Sequence, residues 1–256
     1  MKQHFILYLA IAFILSACAP TNYTYIKKNY DLGNYKISEV LVAVEYLNLK
    51  ETLTGSWIFN ENTNLSNQDR IYGIVVEMLE NKGYTIANQS LKTSGLILNR
   101  NILAKHYYNE KLQELPISPP FIIRSIDIDE ATIQGLEVLL AEINKPVSHV
   151  MSDYKSFINN NFKPQMQSIN IDDNVAILLI QSFKPKNTIF SSFDVGFGVS
   201  SSSSAVFAST DNVTYKPTSY AYLIHKGTGE LLWSNKISEI KSKNQLKFFE
   251  KFPIKL

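Results

Sequence analysis

The stretch Asn174–Phe183 reads Asn-Val-Ala-Ile-Leu-Leu-Ile-Gln-Ser-Phe. Its apolar residues fill both alternations of an extended chain, so neither side of such a strand can face water. Its length and β-branched content favour strand over helix, and the stretch predicts the central strand of a sheet covered on both faces. The rest of the chain must then supply neighbouring strands and two covering layers. Val40–Leu49 (Val-Leu-Val-Ala-Val-Glu-Tyr-Leu-Asn-Leu) predicts a buried first strand. Ser219–His225 and Glu230–Ile237 flank Lys-Gly-Thr-Gly and predict a hairpin near the carboxyl end.

Between these strands the pattern alternates with helices. Asn67 stands as an N-cap, with Ile71, Ile74, Val75, Met78 and Leu79 following at helical spacing and Gly83 just past the last turn. A second strand begins at Tyr84–Ile86, giving a strand–helix–strand unit. Glu51–Asn67 reads as a loop or short hairpin arm. Leu91–Asn109 is consistent with strand then helix. Leu115–Ile122, with three prolines, is a loop or an extended segment. Glu130–Asn144 predicts a helix with Leu136, Leu139, Leu140 and Ile143 on one face, stopped by Pro146. Further helices are expected over Ser148–Phe162 and Lys243–Phe252. Ile189–Ala208, rich in serine and glycine, reads as a hairpin or loop. The fold class is therefore α/β (α+β): a mixed β-sheet with helices packed on it, a C-terminal β-hairpin and a short terminal helix.

The amino terminus constrains location. Behind Met1-Lys2 an apolar run from Phe5 to Leu15 leads to Ser16, Ala17 and Cys18, the single cysteine of the chain. This is the pattern of a secretory signal peptide; a permanent span needs about 20 apolar residues. Leu15-Ser16-Ala17-Cys18 resembles the lipobox of bacterial lipoproteins. The resemblance implies that residues 1–17 are removed and that the Cys18 sulfur carries a diacylglyceryl thioether. Ala19 in the next position, where an Asp would imply retention at the inner membrane, implies an outer-membrane anchor facing the periplasm in a Gram-negative host, and the outer face of the only membrane in a Gram-positive one. Residues 18–39 are then a lipidated tether, and 40–256 a single α/β domain with a helical insertion around 100–165. One thiol excludes an intramolecular disulfide. The 25 basic and 23 acidic side chains nearly cancel, which leaves no electrostatic case for nucleic acid.

The segments Leu41–Asn48, Val75–Ile86, Asn174–Phe183 and Ala221–Ile237, in this order behind a lipobox, resemble the periplasmic α/β lipoproteins around the curli-secretion lipoprotein and the amino-terminal domain of the TolB protein. The resemblance implies a binding or assembly role without an active site.

The search for chemistry agrees with that expectation. Ser152 and Lys155 fit the Ser-x-x-Lys pattern of serine acylases, as do Ser238 and Lys241. Lys92-Thr93-Ser94-Gly95 approximates the partner Lys-Thr-Gly, but it carries an extra serine and precedes the nucleophile candidates. Two matches in a chain rich in Ser and Lys are what chance gives. His106, His149 and His225 are far apart in sequence, without a second ligand at metal spacing. Asp127, Asp129 and Glu130, like Asp172 and Asp173, sit beside helix or strand starts, where capping explains them. Four Asn-x-Ser/Thr sequons, at Asn22, Asn64, Asn88 and Asn212, matter only in a glycosylating host. Trp57-Ile58-Phe59 and Phe190–Val199 place apolar residues in loop-like settings, where they either fold back on the core or form an exposed patch for a partner or a membrane.

The expectation is thus a lipid-anchored cell-envelope accessory protein, attached to the membrane through Cys18. It needs no cofactor or metal, acts on envelope proteins without catalysis, and is open to homo-oligomer formation through Ser191–Ser209. The rivals are a lipid-anchored hydrolase and a solute-binding lipoprotein.

Overall fold

The computed structural model describes residues 23–26, 35–52, 54–96, 98, 100–144, 161–183, 218–237, 248–249 and 251–253. Along the chain the strands are β1 (Tyr23–Ile26), β2 (Glu39–Leu47), β3 (Leu49–Glu51), β4 (Trp57–Asn60), β5 (Ile86–Ser94), β6 (Ala104–Tyr108), β7 (Lys111–Ile117), β8 (Ile122–Ile126), β9 (Val175–Phe183), β10 (Thr218–His225) and β11 (Leu231–Ile237). The helices are α1 (Glu61–Asn81), α2 (Glu130–Asn144) and the single turn α3 (Lys163–Met166).

A seven-stranded sheet runs in the order β1-β11-β10-β9-β2-β5-β8. Its middle is parallel, with Ala43 opposite Leu179 on β9 and Leu91 on β5; the flanking strands are antiparallel. The fold is thus α/β with a mixed sheet. β9 lies between β2 and β10, and Val175–Ser182 are all buried.

Alternation divides each central strand between two cores. On one face Val40, Val42, Val44, Leu178 and Ile180 meet Ile71, Val75 and Leu79 of α1, together with Trp233 and Phe248, Phe249 and Phe252. The Trp233 ring meets the edge of Phe252 at 4.8 Å. On the other face Leu41, Ala43, Ile177 and Leu179 pack on Leu136, Leu139, Leu140 and Ile143 of α2, the face read from the sequence. Parallel strands need both layers because a sheet with two apolar faces leaves none for water. The expected hairpin is β10–β11, turning at Lys226–Gly229.

Four readings change. Asn48 separates β2 from β3, so the first strand ends at Leu47. Trp57–Asn60 is a strand, with Phe59 fully buried, so this stretch folds back on the core. α1 begins at Glu61 and not after Asn67; Asn60 is the N-cap and accepts from Thr63 N at 2.8 Å. The buried stripe of α1 runs Asn64, Gln68, Ile71, Val75, Leu79, so amides occupy its first two positions and hide the apolar period. Gly83 is the expected C′ residue, with φ +83°, and Tyr84 N bonds to Leu79 O.

The fourth change is at 100–165. Three strands occupy Ala104–Ile126 of the insertion expected to be helical, with Leu115–Ile122 extended or in a loop as its prolines suggest, and between residues 100 and 144 only α2 is helical. β7 is exposed from Lys111 to Pro116, so it buries no face and shows no period. Most of the helix expected over Ser148–Phe162 lies outside the described residues, as do Ile189–Ala208 and most of Lys243–Phe252; Phe162 itself is buried at the start of α3.

Leu178→Ala removes a fully buried side chain between two strands and α1. It is expected to lower unfolding stability by about 2–5 kcal/mol, read from the urea midpoint at unchanged slope.

Candidate functional site

The parallel strands β2 and β5 end side by side, with Glu45 opposite Thr93. Alternation puts both on the α2 side of the sheet, where Leu41, Ala43 and Leu91 lie. Glu45 is buried, and its carboxylate collects the donors of the chain as it leaves β5. Thr93 Oγ1 donates to Oε2, and Gly95 N donates to Oε1 at 2.6 Å. Leu96 N also reaches Oε1, at 3.3 Å. Gly95 has φ +76°, and an added Cβ would stand 2.9 Å from the Phe121 ring, so glycine alone fits this turn without displacement. Burial pushes the Glu45 carboxyl up to about 7, against the lowering effect of its three hydrogen bonds.

The opposite side of the same strand ends is also polar. Ser94 Oγ donates to Tyr46 O at 2.6 Å and receives Gln68 Nε2 at 2.8 Å. Gln68 Oε1 accepts from Arg124 at 2.9 Å. Arg124 continues to Asp69, which also holds Lys92 at 2.8 Å. Burial raises the Asp69 carboxyl, but the bonds and charges of Arg124 and Lys92 outweigh it and hold the group below its usual range. Asn64 adds a pair of bonds to the Asn48 main chain. These groups join β2, α1, the exit of β5 and the entry of β8, and Phe121 N closes the ring on Ser94 O at 2.9 Å.

What springs from this root is the β6–β7 hairpin. It belongs to a second, four-stranded sheet, β3-β4-β6-β7. Its small core holds Leu47, Leu49, Phe59, Ala104 and Ile122, and the Phe59 and Phe121 rings stack at 4.5 Å. His106 Nε2 lies 2.6 Å from Glu61 Oε2, tying β6 to the first turn of α1. Beyond this the hairpin extends as an arm. It turns at Asn109 and Glu110, both left-handed, and β7 is the outermost strand of its sheet. Seven large apolar side chains among the described residues are exposed, and six of them lie between residues 103 and 126: Leu103, Tyr108, Leu112 and Leu115 in or beside the hairpin, and Ile123 and Ile126 on β8 of the large sheet. Leu115 is 78% exposed.

The residues singled out from the sequence fall in several places. Cys18, Ser152, Lys155, Ser238, Lys241, His149 and Phe190–Val199 lie outside the described residues. Thr93 and Ser94 of Lys92–Gly95 are buried members of the root. His225 is on β10 of the large sheet and His106 on β6 of the small one; His225 bonds to Tyr35 O and Thr228. Among the described residues no group of three or more His, Cys, Asp or Glu could hold a metal. Asp129 caps α2 through Thr132 N, and Asp173 pairs with Lys226, so both act at element starts. Glu45, Gln68 and Arg124, which form the root, carried no motif. The one available signal was a glutamate inside an otherwise apolar strand. Neither a protein-family model, nor a curated protein, nor a solved structure matches the chain.

The raised Glu45 value has a definite sign. The folded state holds the proton more tightly than an unburied glutamate at 4.5, so stability is greatest below that pH and falls as pH rises to about 7. The full cost is about 3 kcal/mol. Glu137, raised by partial burial, works in the same sense. His225, lowered by burial, works in the opposite one, adding stability as pH rises toward 6.5. Glu45→Gln should therefore remove the larger part of the decline seen in urea titrations between pH 5 and 8. Equal slopes in the two proteins would show that Glu45 is not the titrating group.

Proposed function

We propose that the chain is a lipid-anchored accessory protein of a bacterial cell envelope, held through Cys18 at the outer membrane facing the periplasm, that binds other envelope proteins through the β6–β7 arm and catalyses no reaction. The observation that carries this reading is the set of exposed apolar side chains on the arm and on β8, together with the outer edge of β7, which pairs with no further strand among the described residues. Both features suit a protein partner that adds a strand or covers leucines. Glu45, the carboxyl most displaced from its usual range, would otherwise suggest acid–base catalysis. Its oxygens are buried and occupied by donors of the chain itself, which suits an anchor better than a catalyst.

The tether gives the arm a direction. β1 adds to β11 at one edge of the large sheet, and the arm connects to β8 at the other. From Cys18 to Tyr23 the chain spans at most about 18 Å. A lipid on Cys18 thus keeps the β1 edge close to the bilayer. Six strand spacings of about 4.8 Å place β8 about 29 Å along the sheet from β1. The apolar arm belongs to the edge remote from the anchor, which favours a protein partner over the membrane surface.

Two measurements test the reading. Cys18→Ser should move the protein from the membrane fraction to the soluble fraction; retention in the membrane would remove the lipid anchor. A photo-crosslinking amino acid at Leu115 in living cells should give a covalent adduct heavier than the 29.1 kDa chain. The same label at the exposed Glu130 on α2 should give none. Mass spectrometry of the adduct separates a second copy of this chain from a different envelope protein. Absence of any adduct at Leu115 would overturn the arm as the binding surface.

A further inference from the structure

The Glu45 carboxylate grips the chain where it leaves the large sheet for the arm. Two consecutive backbone amides, Gly95 N and Leu96 N, and the Thr93 hydroxyl all end on it. Other ties near the arm are Ser94 with Gln68 and Tyr46, Arg124 with Asp69 and His106 with Glu61 on the α1 side of the sheet, Phe121 N with Ser94 O, and Arg100 with Glu137 of α2 at 4.0 Å.

We infer that Glu45 is a latch on the arm, closed while the carboxyl is neutral and weakened when it ionises, so that the arm is held more firmly in mildly acidic than in mildly alkaline surroundings. The inference rests on the arm as binding surface and names its regulation. The physical cause is the charge. A neutral carboxyl keeps an acceptor oxygen for Gly95 and Leu96 and sits in the dry site at little desolvation cost. An ionised one must stay charged in a dry site or draw in water, and water reaches it most readily if the Gly95–Leu96 turn opens.

The surrounding charges do not replace this control. On β5, Lys92 points to the α1 side and is held by Asp69. On β9 the residue in register with Glu45 is Gln181, uncharged, buried and with both side-chain polar atoms unpartnered. On α2 the titratable groups are Glu130, Glu137 and Glu142, and Arg100 approaches Glu137 at 4.0 Å. None of these enters among the causes that displace Glu45, which are burial and its own three hydrogen bonds.

The test is amide hydrogen exchange on the full-length chain in detergent at pH 6 and pH 8, corrected for the intrinsic base-catalysed rate. The folded value of about 7 against 4.5 when exposed makes an opening that hydrates Glu45 about tenfold more favourable at pH 8 than at pH 6. Protection at Gly95 and Leu96 should fall by about that factor in the native protein and stay constant in Glu45→Gln. The root should be less protected than Leu178 and Leu179 of β9 throughout, because its opening is local. The inference is overturned if root amides share the protection of β9 at both pH values. It is equally overturned if their corrected protection in the native protein does not change with pH, a result that needs no variant. Exchange reads the root without any partner, so that outcome removes the latch and leaves the binding surface to the crosslinking result.

Discussion

A buried carboxyl that gathers the end of a strand is the constraint on which the rest of this structure turns. β5 must stop abruptly at Ser94, because the chain leaves the large sheet there to build a second one. Two successive backbone amides in the turn that follows have no strand or helix partner, and leaving them dry would cost more than a hydrogen bond is worth. Glu45 supplies one oxygen for both and a second for Thr93. Gly95 supplies the left-handed backbone and the room for Phe121. An apolar residue at position 45 would suit β2 and the α2 layer better, yet it would orphan the turn. The carboxyl is tolerated at the cost of its ionisation.

The layers around that point follow from the strands. β9 and β2 are apolar on both alternations, so each face needs a helix. α1 connects β2 to β5 on one face, and α2 precedes the crossover to β9 on the other. The small sheet takes β3 and β4 from the first of these connections and β6 and β7 from the link between β5 and β8. β4 and β6 then pair in parallel, so two insertions that are distant in the chain share one core around Phe59. This pairing is why the arm has a fixed base instead of being a lone hairpin, which would be marginal in water.

What could be read from the sequence is what burial writes into it. The strand at Val175–Phe183, the α2 face of Leu136, Leu139, Leu140 and Ile143, the β10–β11 hairpin and Gly83 all carry a period or a turn residue, and all stand where expected. The start of α1 could not be read, because Asn64 and Gln68 are buried for their hydrogen bonds rather than for their hydrophobicity. β7 could not be read either, since a strand exposed on both faces shows no alternation to detect. The root was hidden for a different reason: its partners are 16 to 56 residues apart, as with Asn48 and Asn64, or Gln68 and Arg124. Only the three-dimensional fold brings them together.

These failures share a location. In most of the molecule apolar residues are inside and polar ones outside, and local pattern agrees with the fold. Around the strand ends of β2 and β5 the assignment is inverted. Glu45, Asn64, Gln68, Thr93 and Ser94 are buried, while Leu103, Leu112, Leu115, Ile123 and Ile126 face solvent. Burying polar groups is tolerable only because they satisfy one another across four elements. Exposing leucines gains nothing for the isolated chain. A sequence that departs from its own folding logic in both directions at one site is specifying something other than stability there. A polar root beside exposed apolar side chains is the arrangement expected if that apolar surface is completed by another molecule.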